Sequence, residues 1–284
     1  FNALASMPST AVTNHATSVA GLIAAVRDNG LGGVGVAYGS RVSKLVNGSS
    51  LENATAFLWL NELHHIKNNS WGPADNGTLG QITAIERDAL AASTLGRLGL
   101  GTVFVWAGGN GAAASDRTDY DPYASSRFAI CAGAIDDDDD KSYYSEPGSS
   151  LMVVAHSSGG PGPGDQQIYT TKSGGAYTTT FGGTSTSAPI VAGVVALMLQ
   201  SNPYLSWRDV QHVLVASARK CDPNSPTWTV NAAGHNISYC YGFGAVRALN
   251  AALTAKAWHP IPPEHSVTSG TRVISAAIPD GNAN

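Results

Sequence analysis

Apolar residues recur along this chain in two periods that take turns. In TSVAGLIAAVRDNG, residues 17–30, they fall every third or fourth position, the spacing of a helix, with Gly30 as its stop. GVGVAYG at 33–39 then predicts a short strand. Residues 52–66, ENATAFLWLNELHHI, predict a second helix, and 68–80 are rich in turn formers. An amphipathic helix over 84–99 leads into GTVFVWAGGNG at 101–111, a buried strand with a glycine-rich exit. RFAICAGAI (127–135) and LMVVAHS (151–157) predict further strands. Residues 186–203 and 206–218 predict helices, the second with Ser206 as its N-cap. Alternation of this kind predicts an α/β fold, a parallel sheet with helices on both faces.

Composition narrows the function. The 284 residues, 43% apolar and 13% charged, suffice for one large domain with a sizeable core. A net charge of -4 argues against nucleic acid as a partner. The run APIVAGVVALML at 188–199 is too short to span a bilayer, so no membrane segment is expected. The chain opens on Phe1 with no signal peptide, the expectation for a mature product or a partial chain. After Trp258 the texture becomes proline-rich. The expected domains are therefore 1–258, a linker over 259–270, and 271–284 as the start of a second, β domain.

Several features carry less. Gly30, Gly32 and Gly35 match G-x-G-x-x-G, but they follow a helix and precede a strand, the reverse of a dinucleotide fold. The five aspartates at 136–140 predict a solvated surface loop. Cys221 and Cys240 flank a short loop and are candidates for a bridge, whereas Cys131 reads as a buried strand thiol. Asn47, Asn53, Asn68, Asn76 and Asn236 each open an N-glycosylation sequon, a weak pointer to secretion.

The chemistry gathers at three points. In GGTSTSAPIVAGVVALMLQ, Ser185 stands at the entrance of an apolar helix, whose N-terminal partial charge favours a reactive oxygen. Pro189 is expected inside the first turn. His15, heading a helix of small residues, is a candidate general base for that serine. Asn110, just past the buried strand, is a candidate donor to a tetrahedral oxyanion.

In this order these residues resemble the subtilases, and within them the kexin/furin-like proprotein convertases, over roughly residues 13–258. NHATSVAG is similar to the family's histidine motif, with Ala16 where glycine is usual. NSWGPADNG is similar to its substrate-binding loop, with Ser70, Trp71, Gly72 and Pro73 the most specific string. VFVWAGGNG, containing Ala107 and Gly108, is similar to the oxyanion strand, and ISAAIPDGNAN to the opening of the P domain. The resemblance implies a subtilisin-like three-layer fold and a calcium-dependent serine endopeptidase that cuts after basic residues. It further implies proprotein substrates, a prodomain, and the secretory pathway or the extracellular space, with a membrane anchor open for the full-length protein.

Residue by residue, it implies Ser185 as nucleophile, His15 as base and Asn110 as oxyanion donor. Ser70 to Pro73, Ala107 and Gly108 would line the substrate site, and Asp75 and Asp121 would face a P1 arginine, whose planar fork suits carboxylates. Asp75, Asp116 and Glu146 would hold Ca2+, and Val26, Asn29, Leu31 and Gly33 part of a second calcium site. The acid that orients the base is expected upstream of His15. Its removal costs subtilisin roughly 3 × 10⁴ in kcat, so these residues alone are expected to be nearly inactive.

Departures from the pattern matter as much. Val12, Asn47 and Gln81 stand where the resemblance implies S2 acids, so selectivity for paired basic residues is expected to weaken. Gly32 with Tyr177, and Thr118 with Gly148, stand where animal members have disulfides. A broad-specificity secreted subtilase and a catalytically dead binding module are the competing expectations.

Overall fold

The computed structural model describes residues 13–159, 166–262, 264, 265, 267 and 270. Helix α1, Asn14–Ala24, starts on the side chain of Thr13, which accepts the Ala16 N–H. Helix α2, Ser50–Leu58, and α3, Ala84–Ala92, both open with capping boxes, Ser49 with Glu52 and Thr83 with Glu86. Between them lies β1, Ile66–Asn69; after them come β2, Val103–Ala107, β3, Ala129–Ile135, and β4, Leu151–His156. These four strands pair in parallel in chain order.

A hairpin follows, β5 (Ile168–Lys172) with β6 (Ala176–Phe181), then the long helix α4, Thr184–Ser201, and α5, Trp207–Ser217. A short pair, β7 (Thr229–Val230) with β8 (Asn236–Ile237), precedes α6, Ala248–Ala257.

Strand alternation divides the core in two. Val103, Val105, Ile130 and Val153 face α4, α5 and α6, while Phe104, Trp106 and Cys131 face α2 and α3. Buried on both faces, β2 and β3 are apolar throughout, as parallel strands require. Helices, sheet and helices make the three layers expected. Helix α4 is long and apolar enough to cross a membrane, yet two-thirds of it is buried inside the protein (67%), which makes it the core helix.

Several expectations change. Helix α1 ends at Ala24, well before Gly30, and residues 33–39 hold no strand: 33–35 are irregular and 36–39 form a turn. One set of bonds explains both: the Gly35, Val36 and Ala37 N–H groups donate to the carbonyls of Ala25, Leu22 and Ile23, capping the helix instead of joining a ladder. The helix expected over 52–66 stops at Leu58, and its last residue belongs to β1. Lys67 on β1 reaches back to the carbonyls of Ala56, Phe57 and Trp59 (2.7, 2.8 and 3.0 Å) and to Asn61 Oδ1, and so closes α2 with a buried cation. Burial pulls that ammonium down to about 7. The β5–β6 hairpin, β7–β8 and α6 had no expectation attached.

Cys221 and Cys240 are free thiols, the first buried and the second half-buried. Cys131 is fully buried, and burial pushes its thiol well above the ordinary range. The acidic loop is tied down rather than merely solvated: Asp139 accepts both Arg219 N–H groups at 2.6 Å and bonds His156 at 3.1 Å. The chain after α6 lies along α5, where Asp209 Oδ1 accepts the Trp258 indole and the Ile261 N–H. The expected second domain at 271–284 and Val12 fall outside the described residues. Both pairs at the disulfide positions face each other. A Cβ on Gly32 would sit 1.9 Å from the Tyr177 ring, and one on Gly148 2.0 Å from Thr118 Oγ1.

Candidate active site

Ser185 is the second residue of α4, and Gly183 makes the abrupt entry with φ 76°. Pro189 lies one turn further into the helix than expected. Having no N–H, it leaves the Ser185 carbonyl without its helical partner, and Ser70 Oγ donates to that carbonyl at 3.0 Å. In return Ser185 Oγ donates to the Ser70 carbonyl at 3.4 Å. The next residue of this segment is held from below, where the Trp106 indole donates to the Trp71 carbonyl at 2.7 Å. The 70–72 wall is thus pinned to α4 on one side and to β2 on the other.

Asn110 sits past the end of β2, and its Oδ1 accepts from Thr184 N (2.8 Å) and Thr184 Oγ1 (3.0 Å). Thr184 Oγ1 also accepts the Gly109 N–H at 3.1 Å. Thr184 therefore fixes the amide orientation of Asn110, leaving its nitrogen as the donor end. Sequence reasoning took Thr184 as part of the abrupt helix start but gave it no part in orienting Asn110, and it gave Gly109 and Trp106 no role. The glycine pair before Asn110 was the available signal, and the structure shows Gly109 at φ 96°.

Ser70, Trp71, Gly72, Pro73, Asp75, Ala107, Asn110, Asp116, Asp121, Glu146 and Ser185 open on one cavity of about 270 Å³. Gly108 does not line it; its N–H continues the sheet to the Ala132 carbonyl. Four of the lining residues are acids, and none is Lys, Arg or His. Asp121 Oδ1 caps a turn by accepting the Tyr123 and Ala124 N–H groups (2.7 and 3.1 Å). Its Oδ2 lies against Gly72, where a Cβ would come within 2.8 Å. Burial pushes Asp121 up to about 6, against those two hydrogen bonds and helped by Asp75 and Asp116.

Asp75, Asp116 and Glu146 each place a carboxylate oxygen within 4.8 Å of the others, the only such group among the described residues. Backbone N–H groups hold two of them, Gly77 to Asp116 at 3.0 Å and Gly111 to Glu146 at 2.9 Å. Burial, joined by Asp116, Asp75 and Asp121, pushes Glu146 up to about 8 despite the Gly111 bond. Asp75 is raised as well, by burial first and Asp116 after it, with hydrogen bonds from Asn110 opposing. Packed carboxylates without a counter-charge fit a hard divalent cation. The loop of Val26, Asn29, Leu31 and Gly33 is exposed apart from half-buried Gly33, and Asn29 Oδ1 turns inward to accept the Leu31 N–H (3.0 Å).

His15 is exposed on the first turn of α1, edge-on to Phe181 with ring centroids 5.4 Å apart. Desolvation pulls its pKa below the ordinary histidine value. It lines a second cavity, which meets the first at Ser70 and Trp71. No hydrogen bond joins it to Ser185, and among the described residues no carboxylate bonds its ring. Of the sequons, Asn53 is buried with its amide on Glu86 (2.9 Å), whereas Asn47, Asn76 and Asn236 are exposed.

Comparison with known proteins agrees with the fold. The model of the Subtilase family matches residues 5–244. Proprotein convertase subtilisin/kexin type 5 of Rattus norvegicus is 36% identical over 94% of this chain and 15% of its own length. Type 7 of Homo sapiens is 37% identical over 94% and 35%, and furin of Mus musculus 36% identical over 88% and 32%. The chain thus spans well under half of each. Among solved structures, the serine protease of Aeromonas sobria superposes with a TM-score of 0.79 at 23% identity, covering 91% of this chain and 55% of that one. A protease from Pseudoalteromonas arctica gives 0.68 at 24%, over 85% and 70%. At those identities the likeness is one of fold.

Proposed function

The chain belongs to the subtilase family, and from that premise we propose that it is the catalytic part of a calcium-dependent serine endopeptidase that cuts proproteins after arginine in the secretory pathway. The observation that carries the reading is the 270 Å³ cavity, in which Ser185 stands beside Asp75, Asp116, Asp121 and Glu146 with no basic group to neutralise them. Asp121, with its free Oδ2 against Gly72, receives the P1 guanidinium. Ser185 Oγ attacks the scissile carbonyl at the positive end of α4, His15 takes its proton and returns it to the leaving amine, and Asn110 Nδ2 donates to the oxyanion. The reading requires a carboxylate on the far ring nitrogen of His15, supplied by residues other than those described. Asp75, Asp116 and Glu146 would hold calcium, whose charge offsets their repulsion and stiffens the pocket floor.

The test is hydrolysis of fluorogenic Arg peptides by the full-length protein in calcium. Ser185→Ala should abolish it, and Asp121→Asn should lower kcat/KM for Arg by about 10- to 100-fold, the worth of a charged hydrogen bond. A full-length protein that cuts no Arg peptide, or an Asp121→Asn enzyme of undiminished Arg preference, refutes the reading.

A further inference from the structure

Helices α2, α3 and α5 each open on a capping box, yet their acids differ in what the capping leaves over. In α2, Glu52 is exposed, and the Ser49 N–H and Oγ both donate to its Oε2. In α3, Glu86 is only 1% exposed. Its Oε2 accepts the Thr83 N–H and Oγ1 (3.0 and 2.6 Å). Its Oε1 reaches away from the helix and accepts the Tyr123 hydroxyl at 2.8 Å and the Asn53 amide at 2.9 Å. A cap needs neither the burial nor the second oxygen, as Glu52 shows. Burial raises the Glu86 carboxyl, but the hydrogen bonds from Thr83, Asn53 and Tyr123 outweigh it and bring it down to about 2. Burial, then the Glu86 bond, pushes the Tyr123 phenol above its ordinary value, so it stays the donor to an ionised acceptor.

Tyr123 carries that anchor to the acidic pocket. Its N–H donates to Asp121 Oδ1 at 2.7 Å, so its hydroxyl is tied to Glu86 and its backbone to the pocket acid. The ring between these ends stacks on Trp106 (centroids 5.1 Å apart, planes 11°) and meets Trp71 edge-on at 5.2 Å. Trp106 in turn holds the Trp71 carbonyl, beside the Gly72 that Asp121 Oδ2 faces. One strut therefore fixes both the orientation of Asp121 and the wall opposite it. A guanidinium binds a carboxylate through a rigid planar fork and is sensitive to that orientation, whereas an ammonium rotates its donors to follow a displaced oxygen.

We propose that Glu86 is a positioning residue for Asp121, acting through Tyr123, and that this strut sets the preference for arginine over lysine at P1. This rests on the P1 arginine reading and goes beyond it in naming what makes the pocket choose between two basic side chains.

The experiment is the ratio of kcat/KM for fluorogenic peptides that differ only in Arg or Lys at P1, on the full-length protein in calcium. A ratio does not depend on how much of a variant folds, so a destabilised variant still reports. Tyr123→Phe keeps the ring and the N–H and removes only the hydroxyl. Its kcat/KM should fall about tenfold for Arg and about twofold for Lys, lowering the ratio about fivefold. Glu86→Ala should lower the ratio as far, and Glu86→Gln, which keeps an acceptor oxygen, should restore most of it. Tyr123→Phe added to Glu86→Ala should lower it no further, because both remove the same bond. An equal loss for Arg and Lys is what a merely structural role gives, and it overturns the proposal. So does a ratio that Tyr123→Phe leaves unchanged or raises, or effects of the two substitutions that multiply. Failure of the P1 reading shows separately. A parent enzyme that cuts no Arg peptide, or cuts Arg and Leu peptides equally well, sinks both; one that prefers Arg and keeps its ratio in Tyr123→Phe sinks the proposal alone.

Discussion

Calcium binding at Asp75, Asp116 and Glu146 should be coupled to proton release, with Glu146 setting the size of the coupling. In the ion-free protein burial and its neighbours push that carboxyl from 4.5 up to about 8. A folded-state pKa above the unfolded one means a contribution to stability that is complete below about 4.5 and lost as the pH rises through about 8. A bound cation requires the ionised form, so it reverses this trend. Proton competition at a single carboxyl titrating near 8 weakens apparent affinity at pH 6 by about 50-fold relative to pH 8. At a fixed, saturating calcium concentration that is about 2 kcal/mol of calcium-dependent stability. The assay is titration calorimetry of the Ser185→Ala protein at pH 6, 7 and 8, in buffers of different ionisation enthalpy that count protons. About one proton should be released per ion at pH 6 and about half of one at pH 8. Glu146→Gln should remove the slope, bind calcium more weakly at pH 8, and leave the ion-free protein more heat-stable there than the parent. An affinity independent of pH, or a Glu146→Gln protein with the parent's slope, would refute the reasoning.

Three further outcomes follow from single contacts. Lys67→Met strips the donor from three backbone carbonyls at the end of α2 and should cost about 2–4 kcal/mol in urea unfolding; a loss under about 1 kcal/mol would count against the cap. Thr184→Val removes the hydroxyl that orients Asn110 and accepts the Gly109 N–H, so kcat should fall about tenfold with KM nearly unchanged in steady-state kinetics. Gly109→Ala forces a Cβ to within 2.2 Å of Glu146 Oε1 at φ 96°, and should cost about 1–3 kcal/mol in stability while weakening calcium binding in the same titration.

Much of the framework was legible in one dimension. The apolar runs at β2 and β3 and the unbroken apolar length of α4 carry their structure locally, because a strand or helix buried on every side needs no polar face. Ser206 announced α5 for the same reason: a cap is a contact three residues long. The pattern failed where a segment's partner is distant. β1 is Ile-Lys-Asn-Asn, too polar to read as a strand, and only the carbonyls at the end of α2 explain why its lysine is inside. Residues 33–39 have strand composition, yet their amides are taken by α1.

The candidate site divides along the same line. Residue type and neighbourhood named Ser185, His15 and Asn110, whereas the acids were named only through the family resemblance. Tertiary structure decided what they do to one another. It brought Asp75, Asp116, Asp121 and Glu146 around one pocket, and the burial of Glu146 together with repulsion from the other three, which no residue carries by itself, raises Glu146 to about 8. It made Thr184 the anchor of Asn110 across 74 residues, and it used the missing N–H of Pro189 to bind Ser70 to the Ser185 carbonyl. Electrostatic energy depends on distance and burial, and both are set only when the chain closes on itself.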